Sequence, residues 1–255
     1  MNRNNELRGM TALITGASKG IGAATALELG IRGAFTLIHY NQGSEEAGQL
    51  LKKLRDAGGE GDLLQSDLSC SQGIHDFVYA LGRSGRPIDI LINNAGSLVK
   101  RTPFLEFTEE LWNEVFTLNL TSAFLIAQAC LRGMVERKKG IIVNISSVAA
   151  RFGGGIGSIA YSSAKGGLSV MTKGLAREFA PHGIRINAVS PGTIDTNYHR
   201  QFSTSRALEA AAAATPMRRL GTSEEVADVV AFLCSEDARF IQGQVIEVNG
   251  GFLMV

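Results

Sequence analysis

A tyrosine and a lysine that stand four residues apart, Tyr161 and Lys165, are the residues whose types and spacing most directly suggest chemistry. The composition from here to residue 178 favours a helix, which would place both side chains on one face, one turn apart. A free phenol titrates near pH ~10, and a fixed positive charge a few ångströms away lowers that pKa by favouring the phenolate. Such a tyrosine could give a proton to a carbonyl oxygen or take one from an alcohol.

Two glycines that follow the lysine indicate that this helix packs closely against another surface. Gly166 and Gly167 each cost roughly 1 kcal/mol relative to alanine inside a helix, so a close contact should compensate for them. The tyrosine–lysine spacing also occurs on ordinary solvated helices, and so short a pattern arises often by chance. Its interpretation therefore depends on the elements that would position the pair.

A glycine-rich turn near the start of the chain is the second motif. Residues 10–15 have the composition of a short buried strand, residues 16–22 read Gly-Ala-Ser-Lys-Gly-Ile-Gly, and residues 23–29 have helical composition. Glycines let a backbone approach a pyrophosphate, and the N–H groups of a helix N-terminus attract its negative charge. Glycines also mark ordinary turns, but strand, glycine turn and helix in this order predict a dinucleotide-binding loop.

Strands and helices alternate along the rest of the chain. Short apolar runs predict strands at residues 10–15, 35–40, 63–67, 88–92, 140–145, 184–189 and 245–248. Further helices are expected at residues 44–55, 108–138 and 223–234. Near-continuous apolar strands that alternate with helices predict an α/β fold with a doubly wound parallel sheet of seven strands, the Rossmann fold. No linker divides residues 1–255, which we expect to form a single domain.

The regular alternation lapses between residues 195 and 219, a segment that contains the alanine run at residues 210–214. An irregular stretch of this length between two core elements is usually functional or mobile. We expect it to form a lid over a substrate, with a pair of surface helices as the alternative.

Composition excludes several classes of function. Hydrophobic residues make up 45% of the 255 residues, and the formal net charge of +1 gives no basic surface for nucleic acid or an anionic membrane. The three cysteines are far apart and lack metal-ligand spacing, so we expect no metal site and a reduced, cytoplasmic location. The first residues lack the apolar stretch of a signal peptide, and no apolar run reaches membrane-spanning length.

Several turns and polar residues are expected at one edge of this sheet, where open α/β folds bind ligands. Those that follow predicted strands are the glycine turn, Asp67, the Asn-Asn-Ala-Gly sequence at residues 93–96, Ser147 and the Pro-Gly pair at residues 191–192. With Asn119, Tyr161 and Lys165 in this order and spacing, nearly the whole chain closely resembles the classical short-chain dehydrogenase/reductase family. The resemblance implies a Rossmann fold, a nicotinamide cofactor and usually a homotetramer built partly from two long helices.

The resemblance also implies roles for four residues. Tyr161 would be the general acid in reduction and the base in oxidation, and Lys165 would bind the nicotinamide ribose and lower the tyrosine pKa. Ser147 would hydrogen-bond the substrate oxygen; the alternative is a serine that only caps its strand, a role that Ser146 fits better. Asn119 would hold a water that links the lysine to solvent through a kink in its helix, or would be a buried asparagine satisfied by backbone.

The choice between NADP(H) and NAD(H) is argued from charge. In relatives that prefer NAD(H), an acidic residue at the end of the second strand binds the ribose and repels a 2′-phosphate; here Tyr40 and Asn41 take that place. Lys19 could pair with the phosphate, so we expect NADP(H), with NAD(H) as the alternative. Asp67 would instead hydrogen-bond the adenine. The full set of cofactor-binding residues implied is Gly16, Ser18, Lys19, Ile21, Tyr40, Asn41, Asp67, Leu68, Asn94, Tyr161, Lys165, Ile194 and Thr196.

Three segments should form the walls of the substrate pocket: residues 97–98, residues 148–152 and residues 194–202. No arginine clamp for a carboxylate or phosphate is evident, although Arg151 and Arg200 could reach inward. The catalytic serine lies fourteen residues before the tyrosine, one more than is commonest in the family, and the glycine-rich residues 153–157 could absorb this insertion.

A carbonyl compound or secondary alcohol of modest size is the expected small-molecule substrate. The overall pattern is similar to β-ketoacyl-acyl-carrier-protein reductases, but that subfamily carries arginines near the positions of Lys138 and His182, so the match is partial. A sugar or polyol dehydrogenase is an equal alternative. From another class, a sensor or scaffold protein would bind NADP(H) without turnover, although such a protein would be expected to lose the tyrosine or the lysine.

Overall fold

The computed structural model describes residues 5–196 and 202–255, and one parallel sheet forms its centre. The part of the chain that it describes contains seven strands: β1 (Thr11–Ile14), β2 (Phe35–Tyr40), β3 (Glu60–Gln65), β4 (Ile90–Asn93), β5 (Gly140–Ile145), β6 (Ile184–Pro191) and β7 (Val245–Val248). Their order in the sheet is β3-β2-β1-β4-β5-β6-β7, and every pairing is parallel. The strand order reverses between β1 and β4, where such sheets form a ligand-binding crevice. The predicted doubly wound Rossmann sheet is confirmed.

Helices connect the strands and cover both faces of the sheet. They are α1 (Gly20–Ile31), α2 (Ser44–Asp56), α3 (Ser71–Arg83), α4 (Glu109–Phe116), α5 (Ser122–Arg137), α6 (Ala149–Phe152), α7 (Ile159–Phe179), α8 (Ser205–Ala214) and α9 (Ser223–Cys234). Helices α3 and α6 have no counterpart among the predicted elements, whereas α8 lies in the segment 195–219 for which a lid or a pair of surface helices was expected. In α3, the apolar pair Ile74 and Phe77 is buried against the sheet, three residues apart on one face.

The core lies on both faces of the sheet because side chains alternate along each strand. Ala12 and Ile14 pack in a cluster that includes residues of α1, α2 and α9. Leu13 and Leu37 pack in a second cluster, which includes residues of α3, α5 and α7. Burial on both faces explains why the central strands read as continuous apolar runs.

The helix predicted over residues 108–138 is interrupted in the structure. Helices α4 and α5 are joined by a π-helical turn, Thr117–Thr121, which contains the buried Asn119. Helix α7 packs against this turn: a Cβ at Gly167 would lie 2.9 Å from a methyl carbon of Leu120. A Cβ at Gly166 would meet only an ordinary contact, 3.8 Å from a carbonyl oxygen. The close contact expected of the two glycines therefore exists at Gly167.

One helical stretch of the described residues, Glu109–Arg137, is long and apolar enough to cross a membrane by length and composition alone. Its inner side chains, among them Ile126, Leu131 and Met134, are buried in the second core cluster against the sheet. The apolar character of this stretch is therefore accounted for by its place in the core.

Candidate active site

A cavity of about 810 Å³ lies at the carboxyl ends of the central strands, and it collects nearly all the residues predicted to form the site. The predicted residues that line it are Gly16, Ser18, Lys19, Ile21, Tyr40, Asn41, Asp67, Leu68, Asn94, Ser147, Tyr161, Lys165, Ile194 and Thr196. Asn119 is the exception, because it is buried behind the cavity wall. Segments far apart in the chain thus meet at the sheet edge that the strand pattern indicates.

The glycine turn between β1 and α1 requires its glycines for steric reasons. Gly16 has φ +62°, and a Cβ there would lie 2.8 Å from the Cα of Ala95. A Cβ at Gly22 would lie 2.5 Å from the side-chain nitrogen of Asn94. Among the described residues, no side chain caps the N-terminus of α1, so its first N–H groups remain available. The turn fits a pyrophosphate, which would take these N–H groups as donors.

Thr15 and Asn94 hold the ends of β1 and β4 together beside this turn. The side-chain nitrogen of Asn94 donates to the carbonyl oxygens of Thr15 and Gly16, both at 2.9 Å. The hydroxyl of Thr15 accepts from the backbone N–H groups of Asn94 and Ala95, both at 3.0 Å. Asn94 therefore positions the glycine turn as well as lining the cavity.

His39 fixes the same turn from the side of β2, a role that sequence reasoning missed. Its Nδ1 accepts a hydrogen bond from the backbone N–H of Gly16 at 3.0 Å, and its Nε2 lies 3.1 Å from the carbonyl oxygen of Ser66. Burial lowers the pKa of His39 to about 4, so the ring is neutral near pH 7 and can accept at Nδ1 while donating at Nε2. Nothing in the apolar pattern of β2 indicates that His39 has this role.

Tyr40, Asn41 and Lys19, the residues predicted to select the cofactor, line one cavity. The side-chain nitrogen of Asn41 donates to Asp67 Oδ1 at 3.0 Å, and the N–H and hydroxyl of Ser69 donate to the same oxygen at 2.9 and 2.7 Å. Lys19 is exposed and forms no ion pair with any described residue. Its ammonium group is therefore available to an anionic ligand.

Lys165 and Tyr161 lie together near the first turn of α7. The Lys165 side chain is 3% exposed, and its Nζ donates to the carbonyl oxygen of Ile145 at 2.8 Å. Burial lowers the pKa of this ammonium group to about 8. Its Nζ lies 5.7 Å from the centroid of the Tyr161 ring. The helical spacing inferred from sequence therefore brings the phenol and the amine together in the cavity.

The two adjacent serines at the end of β5 have different environments. The hydroxyl of Ser146 lies 3.1 Å from the carbonyl oxygen of Lys165 and 2.7 Å from the hydroxyl of Ser169. The Ser147 oxygen accepts only the N–H of Ala149, at 3.1 Å, and its own O–H has no acceptor among the described residues. Ser146 therefore tethers β5 to α7, whereas Ser147 can donate to a ligand.

Asn119 is satisfied by backbone, one of the two alternatives considered for it. Its side-chain nitrogen donates to the carbonyl oxygens of Ser97 and Val115, both at 2.8 Å, and its Oδ1 accepts from the N–H of Ser97 at 3.2 Å. Gly96 separates it from the lysine: a Cβ at Gly96 would lie 2.6 Å from Asn119 Oδ1 and 2.9 Å from Lys165 Nζ. Gly96 is thus a sterically critical residue between them.

The far end of the cavity differs in part from the predicted substrate walls. Ser97, Leu98, Val148, Ala149 and Phe152 line it, whereas residues 150–151 do not. From the predicted lid, Phe202, Ser203 and three side chains of α8 (Ala207, Leu208 and Ala211) line the cavity, while residues 197–201 lie outside the described part of the chain.

Two charged residues that sequence reasoning missed, Arg101 and Glu114, also line the cavity, and Arg101 lies against the glycine-rich residues 153–157. Of the arginines considered, Arg151 instead pairs with Glu247 at 3.2 Å, and Arg200 lies outside the described residues. No sequence motif marks Arg101, because it lies in an irregular segment between β4 and α4. An arginine is therefore present at the predicted substrate end, at a position that the pattern does not reveal.

Comparison with known proteins agrees with this architecture. A family model described as enoyl-(acyl carrier protein) reductase matches residues 16–253. The chain is 39% identical over 246 residues to YmfI, an uncharacterized oxidoreductase of Bacillus subtilis, covering 95% of this chain and 98% of that one. It is 38% identical over 246 residues to the 3-oxoacyl-[acyl-carrier-protein] reductase FabG of Aquifex aeolicus, covering 96% and 98%.

A similar solved structure comes from Beutenbergia cavernae, with a TM-score of 0.90 and 31% identity. The match covers 96% of this chain and 97% of that one. The protein is provisionally described as an NAD(P)-dependent gluconate 5-dehydrogenase and contains bound NADP at low occupancy.

Proposed function

The chain belongs to the short-chain dehydrogenase/reductase family, and on that basis we propose that it is an NADP(H)-dependent oxidoreductase acting on a carbonyl compound or secondary alcohol. One observation carries the proposal: Tyr161, Lys165 and Ser147 line the same cavity as the glycine turn. A cavity that holds both a proton-transfer group and a turn suited to binding a dinucleotide is suited to hydride transfer. The nicotinamide, when bound, supplies or accepts the hydride.

The catalytic roles follow from the hydrogen-bonding capacity of each group. In reduction, Tyr161 gives its phenolic proton to the substrate oxygen as the carbon gains hydride; in oxidation, the phenolate takes that proton back. Ser147 donates its O–H to the substrate oxygen and orients it. The Lys165 ammonium group, whose Nζ lies 5.7 Å from the centroid of the Tyr161 ring, favours the phenolate form of the tyrosine. The lysine would also bind the ribose. Asn119, in the π-helical turn that interrupts its helix, would hold a water that links the lysine to solvent, and its side chain is fixed by the backbone of Ser97.

The cofactor would occupy the cavity from the glycine turn to the tyrosine. The residues proposed to hold it are Gly16, Ser18, Lys19, Ile21, Tyr40, Asn41, Asp67, Leu68, Asn94, Tyr161, Lys165, Ile194 and Thr196. Lys19 would attract a 2′-phosphate, and Tyr40 introduces no carboxylate to repel it. The NADP in the Beutenbergia relative supports NADP(H) over NAD(H).

Two substrate classes remain candidates, each supported by a relative. The Aquifex protein is named as a 3-oxoacyl-[acyl-carrier-protein] reductase, and the Beutenbergia protein is described as a gluconate 5-dehydrogenase. A β-ketoacyl thioester and a sugar or polyol derivative are therefore both proposed. A sensor or scaffold that binds NADP(H) without turnover is the second functional class, and the complete Tyr161–Lys165–Ser147 set argues against it.

Cofactor titration followed by turnover assays tests the proposal. NADPH and NADH are titrated side by side by cofactor fluorescence, and NADPH oxidation is then followed with ketones, keto sugars and a β-ketoacyl thioester. Tyr161→Phe should lower kcat at least about 100-fold while NADPH still binds. Tyr79→Phe, at an exposed tyrosine of α3, is the matched control and should leave kcat unchanged.

Each outcome of these assays has a defined meaning. Tighter binding of NADH than of NADPH would contradict the charge argument from Tyr40 and Lys19. Binding of NADPH without turnover of any compound would favour the sensor. Turnover that survives Tyr161→Phe would remove the tyrosine from the mechanism.

We further propose that residues 1–255 form a single domain, with residues 195–219 as the substrate lid. Exposed apolar side chains on the long helices, Phe124 of α5 and Val170 of α7, support assembly into a homotetramer. The three cysteines are free thiols, and we propose a reduced, cytoplasmic location. No nucleic-acid or membrane partner is proposed.

A further inference from the structure

We propose that Arg101 is a specificity-determining residue that binds the carboxylate of an acidic substrate, so that the carbonyl or alcohol compound is an oxo acid or hydroxy acid. This inference rests on the proposed oxidoreductase function and narrows its substrate class. Arg101 lines the cavity near the residues that lead into α7, which carries Tyr161. A substrate held there by its acid group would share the cavity with the catalytic tyrosine.

The arginine side chain is seated by a glycine loop. Its Nη1 donates to the carbonyl oxygen of Ile156 at 2.6 Å, and the N–H of Thr102 donates to the carbonyl oxygen of Gly157 at 3.2 Å. Gly157 has φ +76°, and a Cβ there would lie 2.8 Å from Arg101 Cγ. The glycine-rich residues 153–157 therefore leave room for the arginine stem and fix one corner of its guanidinium group.

The backbone before Arg101 supports the same interpretation. Val99, which also lines the cavity, has φ +60°, a left-handed conformation that a β-branched residue rarely adopts. Its N–H is held by the hydroxyl of Ser97 at 3.0 Å, and the N–H of Lys100 donates to the carbonyl oxygen of Leu98 at 2.7 Å. Backbone strain of this kind tends to occur at functional sites. The strained turn brings Arg101 to the cavity and leaves Lys100 outside its lining.

Charge favours a single carboxylate as the bound group. The guanidinium group forms no ion pair with any described residue, and it has donors beyond the one used by Ile156. A planar guanidinium matches the two oxygens of a carboxylate. Among the described residues, the other cations of the lining are Lys19 at the glycine turn and the buried Lys165, and the same lining includes the acidic side chain of Glu114. A monoanion therefore suits this wall better than a dianionic phosphate.

Matched pairs of compounds that differ only in the acid group test the inference. The pairs are D-gluconate with D-glucitol and (R)-3-hydroxybutanoate with (R)-1,3-butanediol, in which a CH₂OH group replaces the carboxylate. Binding of each to the enzyme with NADP⁺ is measured by isothermal titration calorimetry, and oxidation is measured by NADPH formation. We expect at least one acid to bind tighter than its alcohol, with the same preference in kcat/KM.

Three variants separate the role of Arg101 from general effects of charge. Arg101→Met should weaken binding of the preferred acid by roughly 10- to 100-fold and reduce its advantage over the matched alcohol. Lys100→Met removes the same charge from the neighbouring exposed residue and should change neither quantity. Arg101→Lys keeps the charge but loses the planar, two-donor guanidinium group, so its affinity for the acid should lie between those of the wild type and Arg101→Met. Thermal melts confirm that each variant folds.

The outcomes distinguish this inference from the proposed function. Equal binding of acid and alcohol, equal effects of Arg101→Met and Lys100→Met, or no binding of either acid would overturn the role of Arg101. Acid binding that depends on Arg101 but is followed by no turnover of any compound would retain the carboxylate site and count against the oxidoreductase function. Oxidation of the alcohols in preference to the acids would retain the oxidoreductase function and count against the carboxylate site.

Discussion

Replacing Lys165 with methionine should remove turnover and at the same time raise the free energy of unfolding at pH 7. Burial lowers the pKa of this ammonium group from 10.5 to about 8. This difference in pKa means that the buried charge destabilises the folded chain by roughly 3 kcal/mol at pH 7. Methionine removes the charge and keeps a flexible apolar side chain. We expect kcat to fall at least about 100-fold, because the tyrosine loses its cationic neighbour.

The hydrogen bond from Nζ of Lys165 to the carbonyl oxygen of Ile145, at 2.8 Å, opposes the gain in stability. Its loss deprives a buried carbonyl of this donor, which costs about 1–3 kcal/mol. The balance is a net stabilisation of up to about 2 kcal/mol, equivalent to a rise in Tm of up to about 8 °C for a chain of this length.

Thermal unfolding followed by circular dichroism at pH 7 and pH 10 measures both the size and the cause of this effect. Between about pH 8 and pH 10.5, the unfolded wild-type chain binds more protons at Lys165 than the folded chain does, so wild-type stability gains a rising contribution with pH. The advantage of Lys165→Met should therefore shrink toward pH 10. Lys173→Met, at an exposed lysine of the same helix, is the control and should change Tm little. A lower Tm for Lys165→Met at pH 7, or an advantage independent of pH, would refute the reasoning.

Three further changes test other parts of the site. Gly96→Ala places a methyl group 2.6 Å from Asn119 Oδ1, so kcat in a steady-state assay should fall about 10- to 100-fold, whereas Gly82→Ala, whose methyl meets nothing within 4 Å, should leave it unchanged. Tyr40→Asp should shift the ratio of the Kd values for NADPH and NADH toward NADH by at least about 10-fold in a fluorescence titration, because a carboxylate repels the 2′-phosphate. Below pH 6.5, His39 becomes protonated in the unfolded chain, whereas in the folded chain it stays neutral down to its pKa of about 4. His39 should therefore lower the free energy of unfolding as the pH falls, by roughly 3 kcal/mol at pH 4. His39→Gln should lack that component in urea melts at stepped pH; identical pH slopes for the two proteins would contradict it.

The strands could be predicted where local sequence alone sets their limits. β2 and β5 begin and end where the apolar pattern places them. β3 does not: the pattern indicates residues 63–67, but the strand is Glu60–Gln65. Its limits are set by pairing with β2, from Phe35 opposite Glu60 to Tyr40 opposite Gln65, and that information lies in another segment of the chain.

The site residues also divide into those that local sequence could place and those that it could not. Those in glycine turns and directly after strands could be placed at the sheet edge, because parallel strands bring their carboxyl ends together. His39 and Arg101 could not, since each acquires its role from a partner distant in sequence. His39 depends on the N–H of Gly16, and Arg101 depends on the carbonyl oxygen of Ile156, fifty-five residues away. Neither contact leaves a periodic signal in the sequence.

The hydrogen bonds from Asn94 to Thr15 join segments seventy-nine residues apart and bear on how a newly made chain matures. The glycine turn is synthesised early, but its final support comes from the residues that follow β4. A nascent chain that ends before β4 therefore lacks the hydrogen bonds from Asn94 that hold the turn. We expect the nucleotide to bind late in folding, so that its stabilising effect acts on the completed sheet.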